Sequence, residues 1–228
     1  KVVSSDKNIV DVKYDKNSDT WFMVVRKAGN AKITITANDE AGLNYEKVTS
    51  TISVKARYVQ NITVPKSKVY MDLKSGAKKS IGAKAGGGAK LTYSSSNNGV
   101  VRVSSDGKLT MKGAGKAVVT IKAAENSKYE SKSIKVTYYV RPVVKKAKIE
   151  ALTTGTTVTV TNPTPGSTLI VKVYSSASKK KLYTTRTKAV KNSRKVVIKT
   201  PSYRGIYKCY TEVYLKKNGV ESRKYINK

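Results

Sequence analysis

The sequence has no histidine, one cysteine, one tryptophan and one phenylalanine among 228 residues. Without histidine there is no Ser-His-Asp or Cys-His site and no His-ligated metal. A lone Cys209 builds neither a disulfide framework nor a thiolate zinc site. Only 7 Asp and 7 Glu stand against 38 Lys and 8 Arg, for a net charge of +32. So few carboxylates among so many cations argue against a calcium protein or an acid/base enzyme. No apolar run approaches the roughly 18 residues that span a membrane. The expectation is a chain with no catalytic residue, no cofactor and no metal. It starts at Lys1 without an initiator Met, a signal peptide or a sorting motif, and so reads as a processed or excised piece. At roughly 100–150 residues per domain, the length allows one large domain or two to three small ones.

What is present is β-forming. Short alternating runs recur at Lys32 to Thr36, Val118 to Ile121, Ile134 to Val136, Val158 to Val160, Leu169 to Val173 and Val196 to Ile198. Each is rich in β-branched residues and bounded by Gly, Asn, Ser, Asp or Pro, and no stretch keeps a 3.6-residue period. The fold class expected is all-β, built as sandwiches of short strands.

An internal repeat supports this. Ser4-Ser5-Asp6-Lys7-Asn8-Ile9-Val10-Asp11-Val12 aligns without a gap on Ser95-Ser96-Asn97-Asn98-Gly99-Val100-Val101-Arg102-Val103. Lys27 to Ala37 then aligns on Gly113 to Ala123, with five more residues in the intervening hairpin of the first copy. Tyr45 pairs with Tyr129, and Ile52-Ser53-Val54 with Ile134-Lys135-Val136. Asp106-Gly107 suits a tight hairpin, because glycine takes positive φ at no steric cost. Gly29 and Gly115 are expected where a side chain would collide with the neighbouring strand or force an unfavourable turn.

The three segments Ser95 to Val103, Asp106-Gly107-Lys108-Leu109-Thr110 and Ala114 to Thr120 resemble the bacterial immunoglobulin-like domain, group 2, of intimin- and invasin-type adhesins and Gram-positive surface proteins. The first copy departs at the hairpin, where Asp15-Lys16-Asn17-Ser18-Asp19 replaces Asp-Gly. The resemblance covers residues 1–141. It implies tandem immunoglobulin-like β-sandwiches as the fold, whereas the family serves as spacer and adhesin alike.

The alignment puts Lys1 opposite Thr92, so the first copy lacks a counterpart of residues 58–91. Those residues include Ile62, Val64, Val69, Met71 and Ile81, which read as opening strands. The expected organisation is a partial domain at 1–57, a complete one at 58–141, and a third sandwich at 142–228 opened by Pro142. Either the chain is a fragment of a longer repeat array, or a neighbouring domain or chain completes residues 1–57 by strand donation.

Residues 142–228 leave the repeat. Strands are expected near 148–152, 156–161, 168–174, 182–188, 195–200, 207–215 and 221–226. Seven strands in about 87 residues suit a fibronectin type III or immunoglobulin-like sandwich. Gly205-Ile206-Tyr207-Lys208-Cys209 resembles the tyrosine corner of such folds, where the Tyr bonds back to a turn two residues before an inward Cys position. Cys209 then reads as a small buried hydrophobe, with a reactive thiol as the rival.

Candidate sites are few. Asp15 to Asp19 has D-x-N-x-D spacing, but Thr20 and Arg26 stand where a calcium loop needs Gly and Glu, which favours a polar turn. Gly86-Gly87-Gly88 lacks phosphate-loop spacing and reads as a flexible loop. Trp21 and Met23 share one strand face and Phe22 takes the other, so core packing is favoured over a sugar-stacking platform. If Tyr207 and Cys209 point inward, Tyr210 and Tyr214 point outward. Beside Lys208 and Lys216 they would offer a basic-aromatic surface for glycans or a partner protein, with cross-strand Tyr–Lys packing as the alternative. Lys179, Lys180 and Lys181 cap a loop and join that candidate surface.

The charge is graded. Residues 1–57 carry 10 basic and 7 acidic residues (+3), residues 58–141 carry 16 and 4 (+12), and residues 142–228 carry 20 and 3 (+17). Such a field gathers anionic partners within about 8 Å at physiological salt. Teichoic acid, anionic glycan, an acidic membrane surface and nucleic acid are candidates, while solubility and protected sheet edges explain the same bias. With Lys so dominant over Arg and no recognition helix, no specific nucleic acid is expected. The function expected is a non-enzymatic extracellular stalk, spacer or adhesive module of a bacterial cell-surface protein. The alternatives are an anionic-glycan or cell-wall binding module of a larger secreted protein, and a structural subunit of a phage virion or appendage.

Overall fold

The structure, a computed structural model, describes residues 1–37, 46–152, 154–175, 181–201 and 209–227. Residues of the first repeat copy form β1 (Val2–Ser4), β2 (Val10–Asp15), β3 (Thr20–Val25), β4 (Gly29–Ala37) and β5 (Val48–Ala56). The second copy forms β6 (Ile62–Thr63), β7 (Lys68–Asp72), β8 (Lys78–Ser80), β9 (Lys84–Ala85), β10 (Leu91–Ser95), β11 (Val101–Val103), β12 (Lys108–Met111), β13 (Gly115–Ala123) and β14 (Lys132–Arg141). Beyond it lie β15 (Lys146–Leu152), β16 (Gly155–Thr161), β17 (Thr168–Tyr174), β18 (Leu182–Ala189), β19 (Lys195–Lys199), β20 (Tyr210–Lys217), β21 (Val220–Glu221) and β22 (Tyr225–Asn227). Among the described residues the only helical element is a three-residue 3-10 turn at Gly86–Gly88. The protein is all-β, as tandem immunoglobulin-like sandwiches require.

Packing divides the chain into two compact units. The first comprises Lys1–Thr63, Ala83–Thr92 and Lys122–Ile134, and the second Val64–Gly82, Tyr93–Ile121 and Lys135–Lys228.

In the first unit β1, β4 and β5 form a three-stranded sheet, and β2 pairs with β3. Val10, Ala31, Ile33 and Ala56 form its buried cluster, with Val2, Ile9, Val12 and Val54 against them. Gly29 lies against Ile9, whose side chain occupies the space a Cβ would need. Tyr58 N–H donates to Lys128 O at 2.7 Å, and Glu130 N–H to Tyr58 O at 3.0 Å. The Gly86–Gly88 segment, expected as a flexible loop, is a fitted turn. Gly87 has φ +68°, and the Tyr129 ring fills the place of its missing side chain.

In the second unit β11, β12 and β8 form one sheet. A second sheet has the order β10-β13-β14-β7, with residues 93–95, 115–121, 135–141 and 68–72 in this unit. Period-2 alternation sets the inward faces: Val101, Leu109, Met111, Ala117, Val119, Ile121, Val136 and Val140 are all buried. Further along, sheets β15-β16-β19 and β18-β17-β20-β21, with β22 on β20, enclose a larger cluster. It includes Val158, Val160, Leu169, Val171, Val173, Val196, Ile198, Val213 and Leu215. The strand expected at 221–226 is two strands. Ser222 interrupts the ladder, because its hydroxyl, not its carbonyl, accepts from Leu215 N–H at 2.9 Å.

The Asp106-Gly107 hairpin is built as its sequence implies. Gly107 has φ +74°, and its N–H donates to Ser104 O at 3.0 Å. The Lys108 ammonium lies 2.7 Å from Asp106, and the Ser104 hydroxyl also donates to that carboxylate. Together they hold the Asp106 pKa down to about 2. Its ionised form therefore favours folding above the ordinary carboxylate value of 3.8, and this contribution is lost as pH falls through about 2. An NMR carboxyl titration should find the Asp106 midpoint near 2, and Lys108→Ala should move it towards 3.8.

Candidate functional site

Of the basic-aromatic surface expected in the C-terminal segment, Lys179, Lys180 and Lys208 lie outside the described residues, as does the Tyr207 corner. Lys181 is exposed, with Nζ 5.7 Å from the Tyr183 ring centroid, and Lys216 is exposed on β20. The expectation of exposed tyrosines on β20 is corrected: Tyr210 and Tyr214 are only 7% and 4% exposed.

The alternation itself holds, since Val213 and Leu215 face the core while Tyr210, Glu212 and Tyr214 take the other face. That outer face is itself covered. Across the ladder Tyr174 opposes Tyr210, Lys172 opposes Glu212, and Ile170 opposes Tyr214. Lys172 Nζ and Lys224 Nζ lie 5.9 and 5.2 Å from the Tyr214 ring centroid, within cation–π reach. Lys224 also pairs with the buried Glu212 carboxylate at 3.3 Å. The Tyr214 phenol beside Lys172 raises the pKa of that ammonium. Lys172 and Lys224 therefore lie over Tyr214, which is the cross-strand Tyr–Lys packing, while Tyr210 meets the Tyr174 ring. Cys209 is half-buried against the core, and burial pushes its thiol up, away from the nucleophilic thiolate.

The Asp15 to Asp19 segment is the tip of the β2–β3 hairpin. Asp15 accepts from Asn17 N–H at 3.0 Å and from the Ser18 hydroxyl at 2.8 Å, which lowers its pKa. Asp19, at φ +50°, accepts from the Tyr14 hydroxyl. These carboxylates are spent on the turn and its flank. Among the described residues no cluster of three or more Cys, Asp or Glu is placed to hold a metal ion.

The core position expected for Trp21 is also corrected. Trp21 and Met23 are 50% and 53% exposed, and Phe22 on the opposite face is exposed as well. The Tyr14 ring, 5.2 Å away, is its aromatic neighbour.

A basic-aromatic surface does exist, on β7, β13 and β14. Tyr70 and Tyr139 sit opposite one another in the parallel β7–β14 register. Their rings stack 4.7 Å apart at 11°, and Tyr70 is 59% exposed. Lys116 Nζ lies 6.0 Å from the Tyr139 centroid. A cleft of about 370 Å³ next to Tyr70 is lined by Lys66, Lys68, Lys79 and Tyr138. A flat ring pair beside ammonium groups can stack on a sugar face and pair with its anionic substituents. The sequence signal was the Tyr138-Tyr139 doublet. Tyr138 is buried and its hydroxyl pushed up to about 12, so alternation turns Tyr139 outward. The approach of Tyr70 from 69 residues away had no local signal.

Burial makes Tyr214 a stability residue. Tyr214→Ala should lower folding stability by about 3 kcal/mol, read by denaturant unfolding. Tyr70→Ala should cost under about 1 kcal/mol in the same measurement.

Residues 77–125 match the family model described as "Intimin, immunoglobulin-like domain". No curated protein sequence matches the chain. Among solved structures, Sidekick-1 immunoglobulin domains 1-5 superpose with a TM-score of 0.30 at 10% identity, over 99% of this chain and 54% of that one. The S-layer protein rSbsC(31-844) superposes with a TM-score of 0.28 at 16% identity, over 100% of this chain and 32% of that one. The chain thus spans about half the length of the first and a third of the second. At these TM-scores the superpositions carry no argument. The bacterial immunoglobulin-like resemblance of the repeat is met, over residues 77–125, by the intimin immunoglobulin-like family.

Proposed function

We propose that this chain is an extracellular spacer in a bacterial cell-surface protein, with residues 58–141 and 142–228 as consecutive sandwiches. The coarser statement, a non-enzymatic structural or adhesive module, follows the intimin-type match at residues 77–125. No helix among the described residues is long and apolar enough to cross a membrane.

The observation that carries the spacer reading is a set of contacts inside the second unit, joining residues far apart in the chain. The Asp72 carboxylate accepts from Arg223 Nε at 2.9 Å. Its other oxygen lies 2.9 Å from Arg141 Nε, off the hydrogen-bond direction, so that second contact is Coulombic. Asn218 Nδ2 donates to Ala114 O at 3.2 Å, across 104 positions of sequence. A Cβ at Gly115, whose φ is +147°, would meet the Val100 side chain first and the Asn218 side chain next, so the glycine leaves room for both. The Tyr225 hydroxyl donates to Val144 O at 2.7 Å, fixing the strand that follows Arg223 to the start of the third sandwich. The ion pairs are partly exposed and each contributes on the order of 0.5 kcal/mol. Their value to a spacer lies in orientation, since several separated contacts oppose bending about any one of them.

Residual dipolar couplings provide the test. Residues 93–121 and 155–174 should report one common alignment tensor. Asn218→Ala combined with Arg223→Ala should make the two tensors diverge while each sandwich stays folded. Distinct tensors in the unaltered chain would count against a spacer.

A second reading, binding to an anionic glycan or cell-wall polymer, is favoured by the exposed Tyr70 ring stacked on the half-buried Tyr139, with Lys116 beside them. Retention on purified cell walls should then weaken with salt and fall several-fold in Tyr70→Ala and Lys116→Ala. It should be unchanged in Lys216→Ala.

A further inference from the structure

A cleft of about 580 Å³ opens in the second unit, where separate segments of the chain meet. They are the loop after β7, the link between β14 and β15, the turn between β16 and β17, and the turn between β18 and β19. The volume falls within the roughly 300–1,000 Å³ usual for small-molecule sites. Backbone hydrogen bonds fix the walls. Asn162 N–H donates to Arg194 O at 2.7 Å, which joins the two turns. Thr164 N–H donates to Val143 O at 3.0 Å, and the Thr164 hydroxyl accepts from Val143 N–H at 2.8 Å. Leu73 N–H donates to Arg141 O at 2.9 Å and anchors the loop after β7. A frame tied in this way is set before a ligand arrives, which spares the ligand the cost of ordering it.

The lining has an apolar part and a polar part. Leu73, Val143, Pro163 and Pro165 supply the apolar ground. Ser75, Asn162, Asn192, Ser193 and Arg194 line the same cleft and are all exposed. Among the described residues none of these five side chains has a hydrogen-bond or ion-pair partner, so each is open to a ligand. Asn162 holds φ +46°, a left-handed conformation uncommon outside glycine.

The chemistry of this set is selective. Arg194 is the single cation of the lining, and no lysine or carboxylate joins it, whereas the cleft beside Tyr70 is lined by lysines. One guanidinium matches one carboxylate, which its planar fork grips through two parallel hydrogen bonds. A polyphosphate would ask for more cations. The two amides and two hydroxyls both donate and accept, as the hydroxyls of a sugar ring do. No aromatic ring lines the cleft, so a nucleobase would find nothing to stack on.

We propose that this cleft binds a sugar acid, a pyranose bearing one carboxylate. Arg194 pairs with the carboxylate, the Asn and Ser side chains take the ring hydroxyls, and the C–H face of the ring rests on the proline and aliphatic ground. The site is separate from the Tyr70–Tyr139 surface and rests on neither reading of the function given above. The same chemistry is offered by a free sugar acid and by a uronate residue within a polysaccharide.

The test is an NMR chemical-shift titration of the full chain with glucuronate and with glucose. Glucuronate should shift the amides of Ser75, Asn162, Thr164 and Asn192 to Arg194 saturably. Glucose keeps the ring without the carboxylate and should bind at least about tenfold more weakly. Arg194→Lys keeps the charge and loses the fork, and should weaken glucuronate several-fold. Asn162→Gly keeps the left-handed backbone and removes the amide, and should do the same. Tyr70→Ala should leave the titration unchanged, so failure of the cell-wall reading and failure of this site are read apart. An oligosaccharide of alternating glucuronate and N-acetylglucosamine distinguishes the sources: tighter binding than the monosaccharide supports a polymer segment as occupant, and equal binding supports a free sugar acid. Equal affinity for glucose and glucuronate would overturn the proposal. So would unaltered affinity in Arg194→Lys, or shifts spread over the lysine-bearing strands instead of these turns.

Discussion

A sheet with one apolar face is stable only when another layer covers that face, and its edge is safe only when paired, shielded or charged. The first requirement explains why the deep clusters lie where two complete sheets oppose each other. It also explains why matched residue types reach opposite fates in the two copies. Met23 and Leu109 differ little in hydrophobicity, and what separates them is the presence of β8 on one side only. The second requirement gives the lysine excess a physical role. Lys78 and Lys79 on the edge strand β8, and Arg186 and Lys188 on the edge strand β18, place charge where another strand would otherwise add. Arg186 and Lys188 are both exposed, although their partners across the ladder, Val171 and Leu169 on β17, are wholly buried.

Much of the fold was legible in the sequence because β-branched residues at period 2 mark a strand and its inward face together. The runs at 156–161, 168–174 and 195–200 became β16, β17 and β19 nearly residue for residue. Asp106-Gly107 was equally plain, since a tight hairpin depends on local backbone geometry, and the repeat itself marked Gly29 and Gly115. What stayed hidden depends on partners distant in sequence. Alternation put Tyr210 and Tyr214 on the outer face correctly, yet nothing local says that Lys172 and Lys224 lie over Tyr214. The exposure of Trp21 was misread for the complementary reason: an apolar strand face implies a core only if the opposing strand is there to make one.

The candidate surfaces divide along the same line. The tyrosines on the outer face of β20 are buried, whereas in the stacked pair Tyr70 is open to solvent and Tyr139 is half-buried. The charge gradient pointed to the C-terminal segment. The stacked Tyr70–Tyr139 pair instead lies on the second repeat copy, where parallel pairing of β7 with β14 brings the two rings together. Net charge describes the reach of a field, whereas a binding surface also needs flat, accessible groups held in register.

The glycine at position 115 has a consequence for how such chains are put together. It belongs to the repeat's own Ala-Gly signature, and it also makes space for a side chain from the turn at Lys217-Asn218-Gly219. One residue thus serves the repeat's own strand and a contact made from 103 positions further along the chain. Without a short polar side chain at position 218, part of that recess would stand vacant and Ala114 O would lose its amide donor.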